Sequence, residues 1–320
     1  MPNPSCSARL GVIAVLGLIA SGAPAQEYAV SSFGSSQISR HGLDGAHLGN
    51  WTGSTLSGPQ AIRPGPDGFW YVADEGNHAI KRYTSTFAYH DTFVTTGSGG
   101  LNGPTAMTWT PDGHLLVASF NGDSVLRYNG ATGAFMGTFV TGGSGALNGP
   151  DVGLTYGSDG HLYVPSFWNN RVLRYDGATG AFLDTFIASG SGGLTTPRTL
   201  LWKDSLLYVS SDFGNRVLRY NGTTGAFMDT FVAAGSGGLN GASGMIFAPN
   251  GELLVTSIGT DSVKRYNGST GAYLGDLVTA GMAGVDGPTF IAAVPEPGTM
   301  LALAAGLGAL ATRRRRRSVS

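Results

Sequence analysis

The chain has 320 residues, 52 of them glycine, with 12% charged side chains and a formal net charge of −1. So few charges and no sustained helical period between the two ends argue against a helical protein, and glycines without a three-residue period exclude collagen. No basic patch marks a nucleic-acid binder, so none is expected as a partner.

Residues 1–25 have the pattern of a secretory signal. Arg9 supplies the positive start, Leu10 to Ala20 an apolar run too short to span a membrane, and Ala23-Pro24-Ala25 the small residues of a cleavage site. The expected partners are a Sec translocon and a signal peptidase, with Gln26 as the mature start. Cys6 precedes the apolar run, which speaks against a lipoprotein. It is the single cysteine, so the processed chain would have no disulfide and would rest on its core and sheet closure.

The body is a repeat. Val125-Leu126-Arg127-Tyr128 returns as Val172-Leu173-Arg174-Tyr175 and Val217-Leu218-Arg219-Tyr220, with variants at Ile80-Lys81-Arg82-Tyr83 and Val263-Lys264-Arg265-Tyr266. The interval of 45 to 47 residues is that of one repeated supersecondary unit. In the unit 103–148, strands are predicted at Thr105 to Thr110, His114 to Phe120, Ser124 to Tyr128 and Ala134 to Val140. Pro111-Asp112-Gly113, Asn121-Gly122-Asp123 and Asn129-Gly130-Ala131-Thr132-Gly133 supply the turns. Four antiparallel strands in about 46 residues make one propeller blade.

Five whole units follow each other, at about 58–102, 103–148, 149–195, 196–240 and 241–286. Residues 28–57 hold strands two to four of a sixth, with Arg40 in register with the repeat arginines. Residues 287–293 hold a first strand without successors. The fragments complement each other, as a closed ring requires and an open solenoid does not. The predicted fold is all-β, a six-bladed β-propeller of four-stranded antiparallel blades over 26–293.

At 294–320, Val294-Pro295-Glu296-Pro297-Gly298-Thr299 leads into the apolar stretch Met300 to Ala311 and then Arg313 to Arg317. The apolar stretch is short against the roughly 20 residues of a spanning helix, and the arginines would stay cytoplasmic. Motif, apolar stretch and basic run together resemble the PEP-CTERM sorting signal of Gram-negative bacteria. That resemblance implies export, a transient inner-membrane anchor with a transmembrane-like helix, recognition by an exosortase-type enzyme at or near Pro295, and delivery to the cell surface or extracellular matrix. A plain C-terminal anchor is the alternative. Without Arg9, Glu296 and the tail arginines, the body carries 13 basic and 19 acidic side chains, a net charge near −6.

The order Pro-Asp-Gly, then Leu-Tyr-Val or Leu-Leu-Val, then Asn-x-x-Val-Leu-Arg-Tyr resembles NHL-type repeats. More broadly it is similar to six-bladed SMP-30/gluconolactonase-like and streptogramin-lyase-like propellers. Lactonase-like relatives hold a divalent ion in the channel, so a Ca or Mg cofactor is one implication.

Arg40, Arg82, Arg127, Arg174, Arg219 and Arg265 recur in every blade. They are expected to be structural, stems on the next sheet and guanidinium donating to carbonyls or carboxylates. Residues that break the repeat are better site candidates. The starts of the innermost strands and the loops after the second strands meet at the channel mouth. They offer Asp74, Glu75, Asp151, Arg198 and Asp212 as charges, with Phe120, Phe167, Trp168 and Phe213 as an aromatic rim suited to sugar faces. No nucleophile–base or zinc spacing is present, and His78 is the one histidine near a candidate loop. The leading expectation is an envelope or matrix protein that binds a glycan or a protein. The alternative is a metal-assisted hydrolase or lyase working through Asp74, Glu75, Asp151 and Asp212.

Overall fold

The computed structural model describes residues 25–295. The signal segment before Ala25, and the tail from Glu296 with its Pro297 and arginine run, lie outside the described residues.

Six four-stranded antiparallel sheets form the body. The first blade contains β1 (Ala25–Ser32), β2 (Gln37–Gly42) and β3 (His47–Asn50). The second is β4 (Pro59–Pro64), β5 (Trp70–Asp74), β6 (Ala79–Tyr83) and β7 (Tyr89–Val94). The third is β8 (Pro104–Trp109), β9 (Leu115–Ser119), β10 (Ser124–Tyr128) and β11 (Phe135–Val140). The fourth is β12 (Thr155–Tyr156), β13 (Leu162–Ser166), β14 (Arg171–Tyr175) and β15 (Phe182–Ile187). The fifth is β16 (Pro197–Lys203), β17 (Leu206–Ser211), β18 (Arg216–Asn221) and β19 (Phe227–Val232). The sixth is β20 (Ala242–Phe247), β21 (Leu253–Ser257), β22 (Ser262–Tyr266) and β23 (Tyr273–Val278). The last strand, β24 (Pro288–Pro295), returns to the first blade and pairs with β1. Closing the ring this way leaves no open junction between blades.

The second strands read as near-continuous apolar runs because both their faces are covered. Leu115 to Ser119 is buried throughout, as is Leu162 to Ser166. Six apolar clusters hold the ring, one at each junction. Between the second and third blades, Tyr71, Ile80, Phe93 and Val94 meet Met107, Leu115, Val117 and Tyr128. Between the first and second blades, Ile38, Trp51 and Phe290 meet Ile62, Trp70 and Val72. The fourth-strand residues Phe93, Phe186, Phe231 and Leu277 are each at most 7% exposed, so these outer aromatic and apolar positions pack between blades.

β24 runs two residues past the predicted end at 293. Val294 pairs with Glu27 and is buried, and Pro295 pairs with Ala25. The body and the sorting motif therefore meet with no linker. Among the described residues no helix is long and apolar enough to cross a membrane, and the predicted transmembrane-like segment lies beyond them.

Candidate ligand site at the channel mouth

The mouth is built from two recurring pieces: the start of each innermost strand and a tight turn after each second strand. The turn ends on a residue in the left-handed region, such as His78 at φ 51°, Asp123 at 48°, Asn215 at 53° and Asp261 at 47°. Its side chain accepts the N–H that opens the next blade. Asp123 Oδ1 takes Gly149 N–H at 2.8 Å, Asn170 Oδ1 takes Thr196 at 2.8 Å, Asn215 Oδ1 takes Gly241 at 2.7 Å and Asp261 Oδ1 takes Gly287 at 2.8 Å. Ser36 Oγ does the same for Gly58. In the second blade the acceptor is His78 Nδ1, 2.9 Å from Gly103 N. An amide can only donate, so Nδ1 carries no proton there. His78 is thus a blade-to-blade latch, and nothing in the sequence of one blade reveals that latch.

Inside this frame Arg198 is the central group. Its Nε donates to Asp212 Oδ2 at 2.6 Å, and Nη1 lies 3.2 Å from Asp151 Oδ2. Its guanidinium sits 5.0 Å from the centre of the Phe167 ring. One cation from the fifth blade therefore bridges carboxylates of the fourth and fifth. A cavity of about 250 Å³ opens beside it, lined by Gln60, Glu75, Asp151, Arg198, Phe33 and Phe120 among others. A second of about 270 Å³ adjoins it and shares Phe33 and Glu75. Gln60 Nε2 donates to Glu75 Oε2. Burial pushes the Glu75 carboxyl upward, with the Gln60 hydrogen bond opposing. Burial likewise raises Asp151, with Arg198 opposing.

The aromatic candidates assemble on one side. Phe120 and Phe167 lie 5.8 Å apart edge to face, and Phe167 and Trp168 4.7 Å apart. Phe213 joins Phe167 at 6.0 Å. Phe167 is 4% exposed and forms the floor, whereas Trp168 at 54% and Phe213 at 68% stand in solvent.

Asp74 is not part of the mouth. It is fully buried, accepts the Ser57 N–H at 2.7 Å and the Asn77 amide at 2.8 Å, and pairs with Lys81 Nζ at 2.7 Å. Four of the other five blades carry Ser119, Ser166, Ser211 and Ser257 at this register, each taking an equivalent loop N–H. Lys81 stands where Leu126, Leu173 and Leu218 stand in three other blades; the sixth blade also has a lysine there, Lys264, but keeps Ser257 and sends the lysine to Asp276 at 3.1 Å. The second blade alone pairs the lysine with an aspartate at the serine register, and that ion pair occupies Asp74.

The repeat arginines lie away from the mouth, each on a carboxylate. Where the facing outer-strand residue is Asp91, Asp184 or Asp229, the arginine forks to it: Arg82, Arg174 and Arg219. Where the facing residue is Gly49, Gly137 or Gly275, it turns to another strand: Arg40 to Glu27, Arg127 to Asp112 and Arg265 to Glu252.

The residues do not suit the divalent ion of lactonase-like propellers. Such hard cations want about six or more oxygen ligands, carboxylates among them with carbonyls and waters. Among the described residues no three Asp, Glu, His or Cys side chains gather at metal-binding range, and Arg198 already fills the space between Asp151 and Asp212.

Residues 293–317 match the PEP-CTERM protein-sorting motif. The chain is therefore an exported protein handled by an exosortase-type sorting enzyme and directed to the cell surface. No curated protein matches this chain. Among solved structures, a chain of a nidogen/laminin complex is similar with a TM-score of 0.67 at 12% identity, over 83% of this chain and 97% of that one. A protein of unknown function from Bacteroides caccae is similar with a TM-score of 0.63 at 15% identity, over 83% and 98%. At such identities the likeness establishes the propeller fold alone.

Proposed function

We propose that this protein is a non-catalytic binding propeller of the cell envelope or exopolysaccharide matrix that takes a glycan at its channel mouth. Before sorting it is held in the inner membrane by its tail. The observation that carries the reading is Arg198. It hydrogen-bonds Asp212 and lies at ion-pair distance from Asp151, so a cation stands against two of the four carboxylates a hydrolytic mechanism would use. Asp74 is committed to Lys81, and Glu75 has Gln60 as its nearest partner. A general base works as part of a set with a nucleophile or an activated water, and beside the spare oxygen of Glu75 the cavity offers no histidine among the described residues, His78 having its Nδ1 on the Gly103 N–H. The exposed faces of Trp168, Phe213 and Phe33, near a cavity that mixes apolar surface with Gln60, Glu75 and Asp151, instead suit a sugar, which offers an apolar face and hydroxyl edges.

The test is a glycan-array screen of the full-length chain, run beside assays for lactone and ester turnover. Binding is expected, and Trp168→Ala should weaken it about tenfold, or ~1.4 kcal/mol. Its melting temperature should stay within about 1 °C, because removing an exposed side chain costs little. A stoichiometric divalent metal together with turnover lost in Asp151→Ala would instead establish the enzyme.

A further inference from the structure

The mouth has an imbalance of hydrogen-bonding groups. Gln60 is 3% exposed, and its Oε1 is buried without a donor. Asp151 is 1% exposed; its Oδ1 takes the Val152 N–H at 2.7 Å, while Oδ2 has Arg198 at ion-pair distance but receives no hydrogen bond. Glu75 spends Oε2 on Gln60 and has Oε1 to spare. All three residues stand on the wall of one cavity of about 250 Å³. Buried acceptors without donors are costly to keep, and these face a cavity that can admit a partner supplying the donors. The formal charges agree: Glu75, Asp151 and Asp212 against Arg198 leave the mouth net negative.

We propose that the glycan bound here carries a free primary amine, an amino sugar that is not N-acetylated, with its ammonium in the corner formed by Gln60, Asp151 and Glu75. This rests on the glycan reading above and narrows it. An ammonium has three N–H donors and no acceptor, matching three acceptors that lack donors. A carboxylated sugar would meet like charge. A neutral hydroxyl offers one donor and brings acceptors of its own. The ring would lie against Phe33 and Phe120, which line the same cavity, and the chain would continue past Trp168.

The experiment is calorimetric titration of the full-length chain with three probes of equal length: a glucosamine tetramer, its fully N-acetylated counterpart and a glucose tetramer. The glucosamine tetramer should bind at least tenfold more tightly than either of the others. Glu75→Gln keeps the shape of the side chain and should erase that preference; Gln60→Leu, which removes the orphan acceptor, should reduce it. Equal binding of all three probes, or a preference unchanged in Glu75→Gln, overturns the amine inference while leaving the glycan reading standing. Binding by none of the three overturns the amine inference, and with a silent array the glycan reading as well. If Glu75→Gln melts early, Gln60→Leu carries the same comparison.

Discussion

The repeated Arg-Tyr pair shows how much a single register position is made to do. The arginine forks to a carboxylate, and the tyrosine hydroxyl reaches back to a carbonyl of the preceding loop: Tyr128 to Ser98, Tyr175 to Ser144 and Tyr220 to Ser191, all at 2.7 Å. The carboxylates are partly exposed, so each pair adds only about 0.2–1 kcal/mol. A double-mutant cycle on Arg219→Gln and Asp229→Asn should return a coupling in that range. The arginine hydrogen bonds hold Asp91, Asp229 and Glu252 below their ordinary carboxylate values. A group lowered in this way stabilises the fold fully above its unfolded value, about pH 4, and that stability is lost as pH falls through the lowered folded value. The cost of Arg219→Gln in urea should therefore be larger at pH 7 than at pH 2. An equal cost at both would show that the guanidinium acts through its packing on Phe231, 4.8 Å away, rather than through its charge.

At the scale of the blade, backbone chemistry sets the geometry. Gly180 has φ +76°, and a Cβ there would lie 1.9 Å from the Phe139 carbonyl of the preceding blade. Gly133 and Gly225 make the same approach to Phe93 and Phe186. Left-handed strain costs about 1–3 kcal/mol for a residue with a side chain, and the clash adds to it. Gly180→Ala should thus lower the melting temperature well beyond the effect of Gly113→Ala, whose added Cβ would have nothing within 4 Å; equal losses would mean the blades can separate there. Strands, turns and ring closure were legible because each rests on a local pattern seen several times: Pro-Asp-Gly, apolar alternation, and two fragments that complete one blade. The mouth was only half legible. Sequence placed Glu75, Asp151, Arg198, Phe120 and Phe167 there, because they break the repeat where propeller loops converge. It could not show that Arg198 bridges Asp151 to Asp212, since that contact joins two blades at positions that occur once. It also took Asp74 for a mouth residue, because a lone aspartate looks free until its lysine partner, one strand away, is read with it.

For the whole molecule, the direction of β24 decides how the protein is presented. This innermost strand starts at Pro288, next to Gly287 and Thr289 at the mouth, and ends at Pro295, paired with Ala25 on the opposite face. Eight residues of strand span about 25 Å. Both processing sites, the predicted signal cleavage before Gln26 and the sorting motif from Pro295, therefore lie side by side on the face away from the ligand cavity. A propeller held by its tail, or by both ends at once, would turn that face to the bilayer and the mouth outward. Under the proposed function, that arrangement would keep the cavity open to a matrix polymer while the chain awaits its sorting enzyme. A distance measurement can check this in membranes of a host lacking that enzyme, with Cys6→Ser removing the native thiol. A donor dye on Ser158→Cys, in a turn on the tail-side face, should transfer energy to acceptor lipids more efficiently than one on Phe213→Cys at the rim. The reverse order would put the mouth against the membrane, and no polymer of the matrix could then reach Trp168 before the tail is cut.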